Sequence, residues 1–190
     1  MKIGVFCSAN KNVDKAYVEA TQALGMWIGK NGHSLVWGGC RLGLMETIAE
    51  AFLEGSMELP PESRGKLVGV IPEIIEEKGK SFSPLDNPVY CKNLSERKEI
   101  MTSLSDVLIA LPGGIGTLDE IFTVSSAATI GYTDKKVILY NISGFRNPLI
   151  SLMDHLENQG MTRGDYRQRM AVAQSLDELS SVFRLLPSRS

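Results

Sequence analysis

The amino-acid sequence predicts an α/β fold in which a doubly wound parallel sheet carries helices on both faces. Short apolar runs typical of buried strands alternate with stretches of helical periodicity along most of the chain. Polar or glycine-bearing loops follow these runs, as at Ser8 and at 38–43. Parallel strands need long crossover connections, and helices in such connections cover both faces of the sheet.

The predicted strands are short runs rich in β-branched or apolar residues. They span residues 2–7, 34–37, 67–71, 89–91, 106–111 and 136–140. The predicted helices carry apolar residues at helical spacing. They span 13–30, 44–54, 95–104, a stretch from the 111–120 loop to about Ile130, and 148–158. Segments 56–66 and 72–83 lack such periodicity and are predicted connections.

Length and composition predict a single domain spanning residues 1–190. With 43% hydrophobic residues and no Ser- or Gly-rich linker, the chain can bury a sizeable core. A net charge of -2 argues against a broad surface for nucleic acid or membrane and favours a small-molecule partner. The start lacks the pattern of a secretion signal, and no window approaches the roughly 18 apolar residues of a membrane span. We therefore expect a cytoplasmic protein.

The cysteines and histidines indicate neither a disulfide framework nor a metal site. Cys7, Cys40 and Cys91 are odd in number and widely spaced, so we expect reduced thiols. Cys40 has no histidine nearby in sequence to activate it as a nucleophile. His33 and His155 lie far from each other and from any carboxylate-rich motif, so we expect them to be structural or surface residues.

Residues 111–120, Leu-Pro-Gly-Gly-Ile-Gly-Thr-Leu-Asp-Glu, connect a predicted strand to a predicted helix. Glycines let the backbone approach a ligand closely, and a helix start offers unpaired N–H groups and a partial positive charge. The loop matches neither a P-loop nor the complete dinucleotide fingerprint. We predict that it binds phosphate, the alternative being a tight connection without a ligand. The predicted contacts are Gly113, Gly114, Ile115, Gly116 and Thr117.

Glu120 has two interpretations. Thr117 and Glu120 have the spacing of a capping box, in which each side chain satisfies a backbone donor of the other. Alternatively, Glu120 lies one helical turn beyond the phosphate and faces the sugar of a nucleotide. There a carboxylate can bind hydroxyls, orient water and stabilise positive charge at the anomeric carbon.

Arg97 also has two interpretations, as part of a solvated charged face or as an inward ligand for an anion. It precedes Ile100 by three residues and Met101 by four, so it shares a helical stripe with apolar residues. That spacing favours the inward direction. A planar guanidinium suits phosphate or a departing base with negative character, whereas Lys98 is the weaker candidate and steers the anion.

The loop at 38–43 is the third candidate segment. Gly38 and Gly39 permit close approach of a ligand to the backbone, the alternative being a simple turn. Ser8 follows the first strand. In open α/β sheets ligands bind beyond the carboxyl ends of the strands, which favours ligand contacts at all three residues.

Three motifs together resemble the Lonely Guy family of cytokinin riboside 5'-monophosphate phosphoribohydrolases, some of which carry the older label lysine decarboxylase-like. The motifs are Gly38-Gly39 with Gly43-Leu44-Met45, Glu96-Arg97-Lys98, and the segment 112–120. The similarity runs from about Lys2 to Met161. It implies a Rossmann-like fold, a homodimer, and hydrolysis of a nucleoside 5'-monophosphate to free base and ribose 5-phosphate.

The resemblance also implies roles for individual residues. Arg97 and Glu120 match the catalytic pair of the family, and Lys98 and residues 113–117 match its nucleotide-phosphate contacts. Ser126 falls near a family threonine that contacts ligand. No metal or other cofactor is expected, because the phosphate of the substrate supplies binding energy and the transition state needs mainly charge stabilisation.

Several positions depart from the family pattern. Cys40 replaces a third consecutive glycine, Glu46 replaces a glycine after Leu-Met, and Ala127 replaces an aromatic residue. A carboxylate at Glu46 would repel phosphate if it faced the loop. These changes in the pocket lining leave the preferred base open among plain purines, N6-substituted adenines and pyrimidines.

Two functional hypotheses follow. The first is a nucleotide N-glycosidase acting on a cytokinin riboside 5'-monophosphate or AMP. The second is a non-catalytic protein that binds a nucleotide or a phosphorylated cofactor of the pterin type, which the changes at Cys40 and Glu46 motivate. Loss of turnover on changing Glu120 distinguishes the two.

Overall fold

Seven parallel strands form one sheet in a computed structural model that describes residues 1–184. The strands are β1 (Lys2–Phe6), β2 (Ser34–Trp37), β3 (Leu67–Pro72), β4 (Asn87–Cys91), β5 (Val107–Ala110), β6 (Val137–Tyr140) and β7 (Met170–Ala173). The helices are α1 (Lys15–Lys30), α2 (Gly43–Ser56), α3 (Glu73–Glu77), α4 (Leu94–Leu104), α5 (Ile115–Thr129), α6 (Asn147–Asn158) and α7 (Leu176–Arg184). Short 3-10 turns occur at Pro61–Ser63, Ile142–Gly144 and Tyr166–Gln168.

The strand order is β4-β3-β2-β1-β5-β6-β7, which confirms the predicted doubly wound, Rossmann-like sheet. The chain builds outward from β1 to β4 and then crosses back to start the other half at β5. The order therefore reverses between β1 and β5, where crevices for ligands form in such sheets.

Helices cover both faces of the sheet, as predicted. Side chains of successive strand residues point to opposite faces. Ile3 and Val5 of β1 pack into one core with α1, α2 and α7, whereas Phe6 packs into a second core with α4, α5 and α6. The central strands are buried along almost all of their length, and they are therefore apolar runs in the sequence.

The structure adds three elements that the sequence interpretation did not contain. Helix α3 lies within the predicted connection 72–83 and is too short to show periodicity. Strand β7 is a four-residue strand at the sheet edge, and α7 follows it. Where the other boundaries differ from prediction, they differ by one or two residues. Within residues 1–184, no helix is both long and apolar enough to cross a membrane.

Candidate active site

The loops that follow β1, β2 and β5 meet at the carboxyl edge of the sheet. The Ser8 N–H donates to the Pro112 carbonyl (3.3 Å), and the Leu44 N–H donates to the Ser8 carbonyl (3.0 Å). Ser8 therefore joins the loop after β5 to the start of α2, as expected for the point where the strand order reverses. Its hydroxyl accepts a hydrogen bond from the Asn10 N–H (3.0 Å).

A cleft of about 310 Å³ opens at this junction. Its walls comprise Ser8, Asn12, Val13, Asp14, Tyr17, Pro112, Gly113, Gly114 and Phe145. The rings of Tyr17 and Phe145 meet edge to face, with centroids 5.3 Å apart. Sequence reasoning identified Ser8 and the two glycines but missed the two aromatic residues. The available signal for Phe145 was its position just beyond a strand end.

The glycine loop presents the start of α5 without a side-chain cap. Gly114 is the N-cap residue, and the first intrahelical bond runs from the Leu118 N–H to the Gly114 carbonyl (3.0 Å). The first N–H groups of a helix have no intrahelical acceptor. The Ile115 side chain points to solvent, being 86% exposed, so Ile115 offers only its backbone to this site. The arrangement suits an anion.

The capping-box interpretation of Thr117 and Glu120 is wrong. Helix α5 begins at Ile115, so Thr117 is its third residue and not its cap. Thr117 is buried, and a Cβ atom on Gly113 would lie 2.1 Å from its hydroxyl oxygen, so the glycine makes room for it. Glu120 is therefore not needed to terminate the helix.

A side-chain cap is instead present at the start of α4, the helix that carries Arg97. The Asn93 side chain accepts from the N–H groups of Ser95 and Glu96 (both 3.0 Å). Glu96 reaches back to accept from the Lys92 N–H (2.7 Å). These bonds fix the first turn of α4 and with it the direction of the following residue.

Arg97 points inward, as its apolar stripe predicted, and does not belong to a solvated face. Its side chain is 11% exposed, and its Nε donates to the Val70 carbonyl of β3 (3.2 Å). Its Nη1 lies 3.8 Å from Glu120 Oε1. Among the described residues its Nη2 has no hydrogen-bond partner. A buried N–H donor of this kind is costly unless a ligand accepts from it.

Glu120 is a buried carboxyl with an elevated pKa. Burial raises its pKa from 4.5 to about 7, while the Arg97 guanidinium acts in the opposite direction. Asp119 contributes a further increase and Lys98 a further decrease. A buried carboxyl whose pKa is raised toward neutrality beside a charged partner is typical of general acid–base sites.

Lys98 lies on the outer side of the pair. Its ammonium bonds both carboxylate oxygens of Asp119 (2.8 and 2.7 Å) and the Thr123 hydroxyl (3.0 Å). It therefore links α4 to α5 and places positive charge near the catalytic candidates. Its predicted contact with phosphate stays a prediction.

Gly38 provides the space that Arg97 occupies. A Cβ atom there would lie 1.5 Å from Arg97 Nη2 and 2.8 Å from its Cζ. Gly39 has φ +68°, a conformation that side-chain-bearing residues rarely adopt. The two glycines thus shape the loop and admit the guanidinium.

A Gly38→Ala substitution is expected to displace Arg97 and lower kcat/KM for the best substrate by at least about tenfold. The test is a double-mutant cycle that combines Gly38→Ala with Arg97→Met. The double variant should have the same kcat/KM as the single Arg97→Met variant, because both changes act on the Arg97 side chain. Additive losses would show that Gly38 acts by another route.

Glu46 and Cys40 do not line the 310 Å³ cleft. Glu46 pairs with Arg41 (3.3 Å), so its charge is balanced within its own loop. Cys40 is buried and pairs with Ser81 as an antiparallel bridge. All three cysteines are buried and unbridged, as expected. No group of three or more His, Cys, Asp or Glu residues in the described part of the chain could hold a metal ion.

Ser126 lies elsewhere. It is exposed on α5 and lines a second cavity of about 360 Å³, together with Phe122, Met161 and Tyr166. This cavity contains none of the residues around the Arg97–Glu120 pair. The structure of one chain therefore does not bring Ser126 to the other predicted contacts, and its role stays a prediction.

Neutralising Glu120 is expected to stabilise the fold at alkaline pH. The pKa is about 7 in the fold against an ordinary 4.5, so the folded state binds more protons between these values. Wild type therefore loses stability as pH rises through this window, by up to about 3 kcal/mol. In urea unfolding, the free energy of unfolding of Glu120→Gln should exceed that of wild type at pH 8. Near pH 4 the two free energies should be equal. An equal difference at both pH values would contradict the raised pKa.

Comparisons with known proteins identify the family. A family model described as possible lysine decarboxylase matches residues 45–183. The probable cytokinin riboside 5'-monophosphate phosphoribohydrolase LOGL1 of rice (Oryza sativa subsp. japonica) is 33% identical over 178 residues, covering 94% of this chain and 76% of that protein. The chain belongs to the Lonely Guy family. The cytokinin riboside 5'-monophosphate phosphoribohydrolase of Rhodococcoides fascians is 30% identical over 190 residues, covering 96% of this chain and 88% of that protein.

Solved structures share the fold. The Moco carrier protein of Chlamydomonas superposes with a TM-score of 0.68 at 22% identity, covering 96% of this chain and 94% of that one. At this sequence identity, the similarity shows a shared Rossmann-like fold and does not indicate a shared function. Lonely Guy membership and the site geometry are thus the observations that bear on activity.

Proposed function

We propose that this protein hydrolyses the N-glycosidic bond of a nucleoside 5'-monophosphate, releasing free base and ribose 5-phosphate. The substrate is a cytokinin riboside 5'-monophosphate or AMP. The observation that carries the proposal is the buried Arg97–Glu120 pair, one helical turn from an uncapped helix start. It is supported by the similarity to the probable phosphoribohydrolase of rice and to the cytokinin riboside 5'-monophosphate phosphoribohydrolase of Rhodococcoides fascians.

The 5'-phosphate binds the N–H groups at the start of α5. These groups, with the glycines before them, offer donors and a partial positive charge that favour an anion. Glu120 follows Gly116 by four residues and so lies on the same side of the helix, one turn further on. A nucleotide held by its phosphate thus places its ribose beside the carboxylate.

Glu120 and Arg97 share the charge that develops as the bond breaks. The ionised Glu120 stabilises positive charge at the anomeric carbon and accepts a proton from the attacking water. The electron pair of the C–N bond leaves with the base, and the guanidinium of Arg97 stabilises its negative character until the base takes up the proton that Glu120 accepted from the water. Because the pKa of Glu120 is about 7, the reaction needs pH near or above neutrality.

A homodimer in the cytoplasm is part of the proposal. Phe122, Ile130 and Met161 are exposed apolar residues beside the second cavity, where Ser126 also lies. Covering them with a second copy would bury apolar surface and place Ser126 at the interface. Light scattering on the purified protein measures the assembly directly.

The proposed activity is tested with a panel of nucleoside monophosphates and their unphosphorylated nucleosides. AMP and isopentenyladenosine monophosphate should release free base and ribose 5-phosphate in equal amounts, whereas the nucleosides should react far more slowly. The panel also identifies the preferred base. Ligand retained through purification, with no base released from any member, would instead support the non-catalytic binding protein.

A further inference from the structure

Arg146 is a buried cation that the proposed chemistry leaves unused. It is 2% exposed and lies between the end of β6 and the start of α6, at the carboxyl edge of the sheet. Burial lowers its pKa to about 10. Among the described residues, no carboxylate lies within ion-pair distance of it, and its Nε has no hydrogen-bond partner. Buried charges are normally paired, so this one calls for an anion.

The position of Arg146 is firmly held. Its backbone N–H donates to the Asn141 side chain (2.7 Å), whose amide in turn donates to Asn147 (2.8 Å). The Asn141 N–H bonds the Ala173 carbonyl of β7 (2.8 Å). Three neighbouring segments thus fix the backbone from which the guanidinium extends.

The guanidinium of Arg146 contacts the base of the glycine loop. Its Nη2 donates to the Leu111 carbonyl (2.5 Å), two residues before Gly113. The Leu111 N–H donates to the Phe6 carbonyl of β1 (2.9 Å). The Leu111 backbone, from which the glycine loop begins, is therefore bonded to β1 through its N–H group and to Arg146 through its carbonyl.

Arg146 also contacts an aromatic residue that lines the 310 Å³ cleft. Its guanidinium carbon is 5.1 Å from the centroid of the Phe145 ring, and that ring lines the cleft together with Gly113 and Gly114. A positive charge in a buried region is poorly screened by water and salt. Its field therefore reaches an anion bound in the cleft.

We propose that Arg146 is the buried counter-charge of the phosphate site, which positions the glycine loop and makes the cleft select phosphorylated over neutral ligands. It acts through the Leu111 carbonyl and through its field, so it is a positioning and specificity residue. The inference rests on the proposed function for the identity of the anion, a ribose 5'-phosphate group. It does not depend on turnover.

Two substitutions separate the charge from the hydrogen bond. Arg146→Lys and Arg146→Gln both keep a donor for the Leu111 carbonyl, but only lysine keeps the charge. By calorimetry with ribose 5-phosphate, AMP and adenosine, Arg146→Gln should raise the Kd of both phosphorylated ligands at least about tenfold. Its Kd for adenosine should change less than about twofold, and Arg146→Lys should stay close to wild type for all three ligands, because it keeps the positive charge.

Arg167→Met is the matched control. Arg167 also lies over an aromatic ring, that of Tyr166 at 4.6 Å, but its charge is paired with Asp154 and Glu157. It precedes β7 and so lies at the opposite, amino edge of the sheet. Removing it should leave all three dissociation constants unchanged.

A measurement on wild type keeps the test decisive if Arg146→Gln does not fold. In nitrogen-15 spectra, the Arg146 Nε–H signal, assigned by its loss in Arg146→Lys, should move on adding ribose 5-phosphate and stay in place with adenosine. No movement at saturation would overturn the inference. So would equal weakening in the Lys and Gln variants, or equal weakening of AMP and adenosine.

The outcomes for the two proposals are distinguishable. Charge-dependent binding of ribose 5-phosphate, in a protein that releases base from no nucleotide, would uphold the role of Arg146 and overturn the glycosidase. Turnover of nucleotides by Arg146→Gln with an unchanged KM would uphold the glycosidase and overturn the role of Arg146.

Discussion

Glu120→Gln is expected to release free base at least about 1000-fold more slowly than wild type on the best substrate. The amide keeps the size of the side chain but carries no negative charge, so it neither stabilises an oxocarbenium-like ribose nor accepts a proton from water. The loss should fall on kcat and leave substrate binding largely intact, since the proposed phosphate contacts lie at the start of α5 and do not involve the Glu120 side chain.

The structure makes this substitution a clean test. Glu120 does not cap α5, because Gly114 does, so the change removes no helix-terminating bond. Glu99→Gln, on the exposed face of α4, is the matched control and should retain wild-type kcat. Circular dichroism checks the fold of both variants. A folded Glu120→Gln protein with wild-type turnover would remove Glu120 from the mechanism.

Arg97→Met is expected to lower kcat by about 100-fold or more and to shift the pH profile. The guanidinium is the partner that restrains the pKa of Glu120, so its removal lets burial raise that pKa further above about 7. Activity in wild type should rise with pH through about 7, as Glu120 ionises. In Arg97→Met the same rise should occur at higher pH.

The shift separates a catalytic charge from a merely structural one. Arg97→Lys keeps a positive charge but not the planar fork, so it should retain the wild-type pH midpoint while losing rate. Arg64→Met, at an exposed arginine before β3, should change neither kcat nor the midpoint. A midpoint in Arg97→Met equal to that of wild type would mean that the two side chains do not interact in solution.

Much of the fold was predictable because local patterns and tertiary packing agree in it. The six predicted strands are all present, since buried parallel strands are short apolar runs that stand out from their surroundings. The elements that were missed are small or at the edge of the sheet: α3 with five residues and β7 with four. Helix α3 carries too few residues to show a helical period, and β7, at the edge of the sheet, is only partly buried.

The site was predictable in part. The inward direction of Arg97 followed from its spacing to Ile100 and Met101, because residues three and four apart share a helical face. The sequence could not decide whether Glu120 is part of a capping box or a functional carboxylate, because the answer depends on the residue at which α5 begins. Nothing in the sequence indicated a role for Arg146. Its burial and its lack of a charged partner depend on which residues surround it in the folded chain.

The sequence by itself determined the α/β class, the position of the glycine loop and the family, because these depend on period, composition and motif order. The tertiary structure alone decided that Arg97 and Glu120 face each other at 3.8 Å, and that burial brings the pKa of Glu120 to about 7. It also decided that Gly38 makes room for the guanidinium. The residues in these two contacts lie 23 and 59 positions apart in the sequence, and only the strand order brings their segments together.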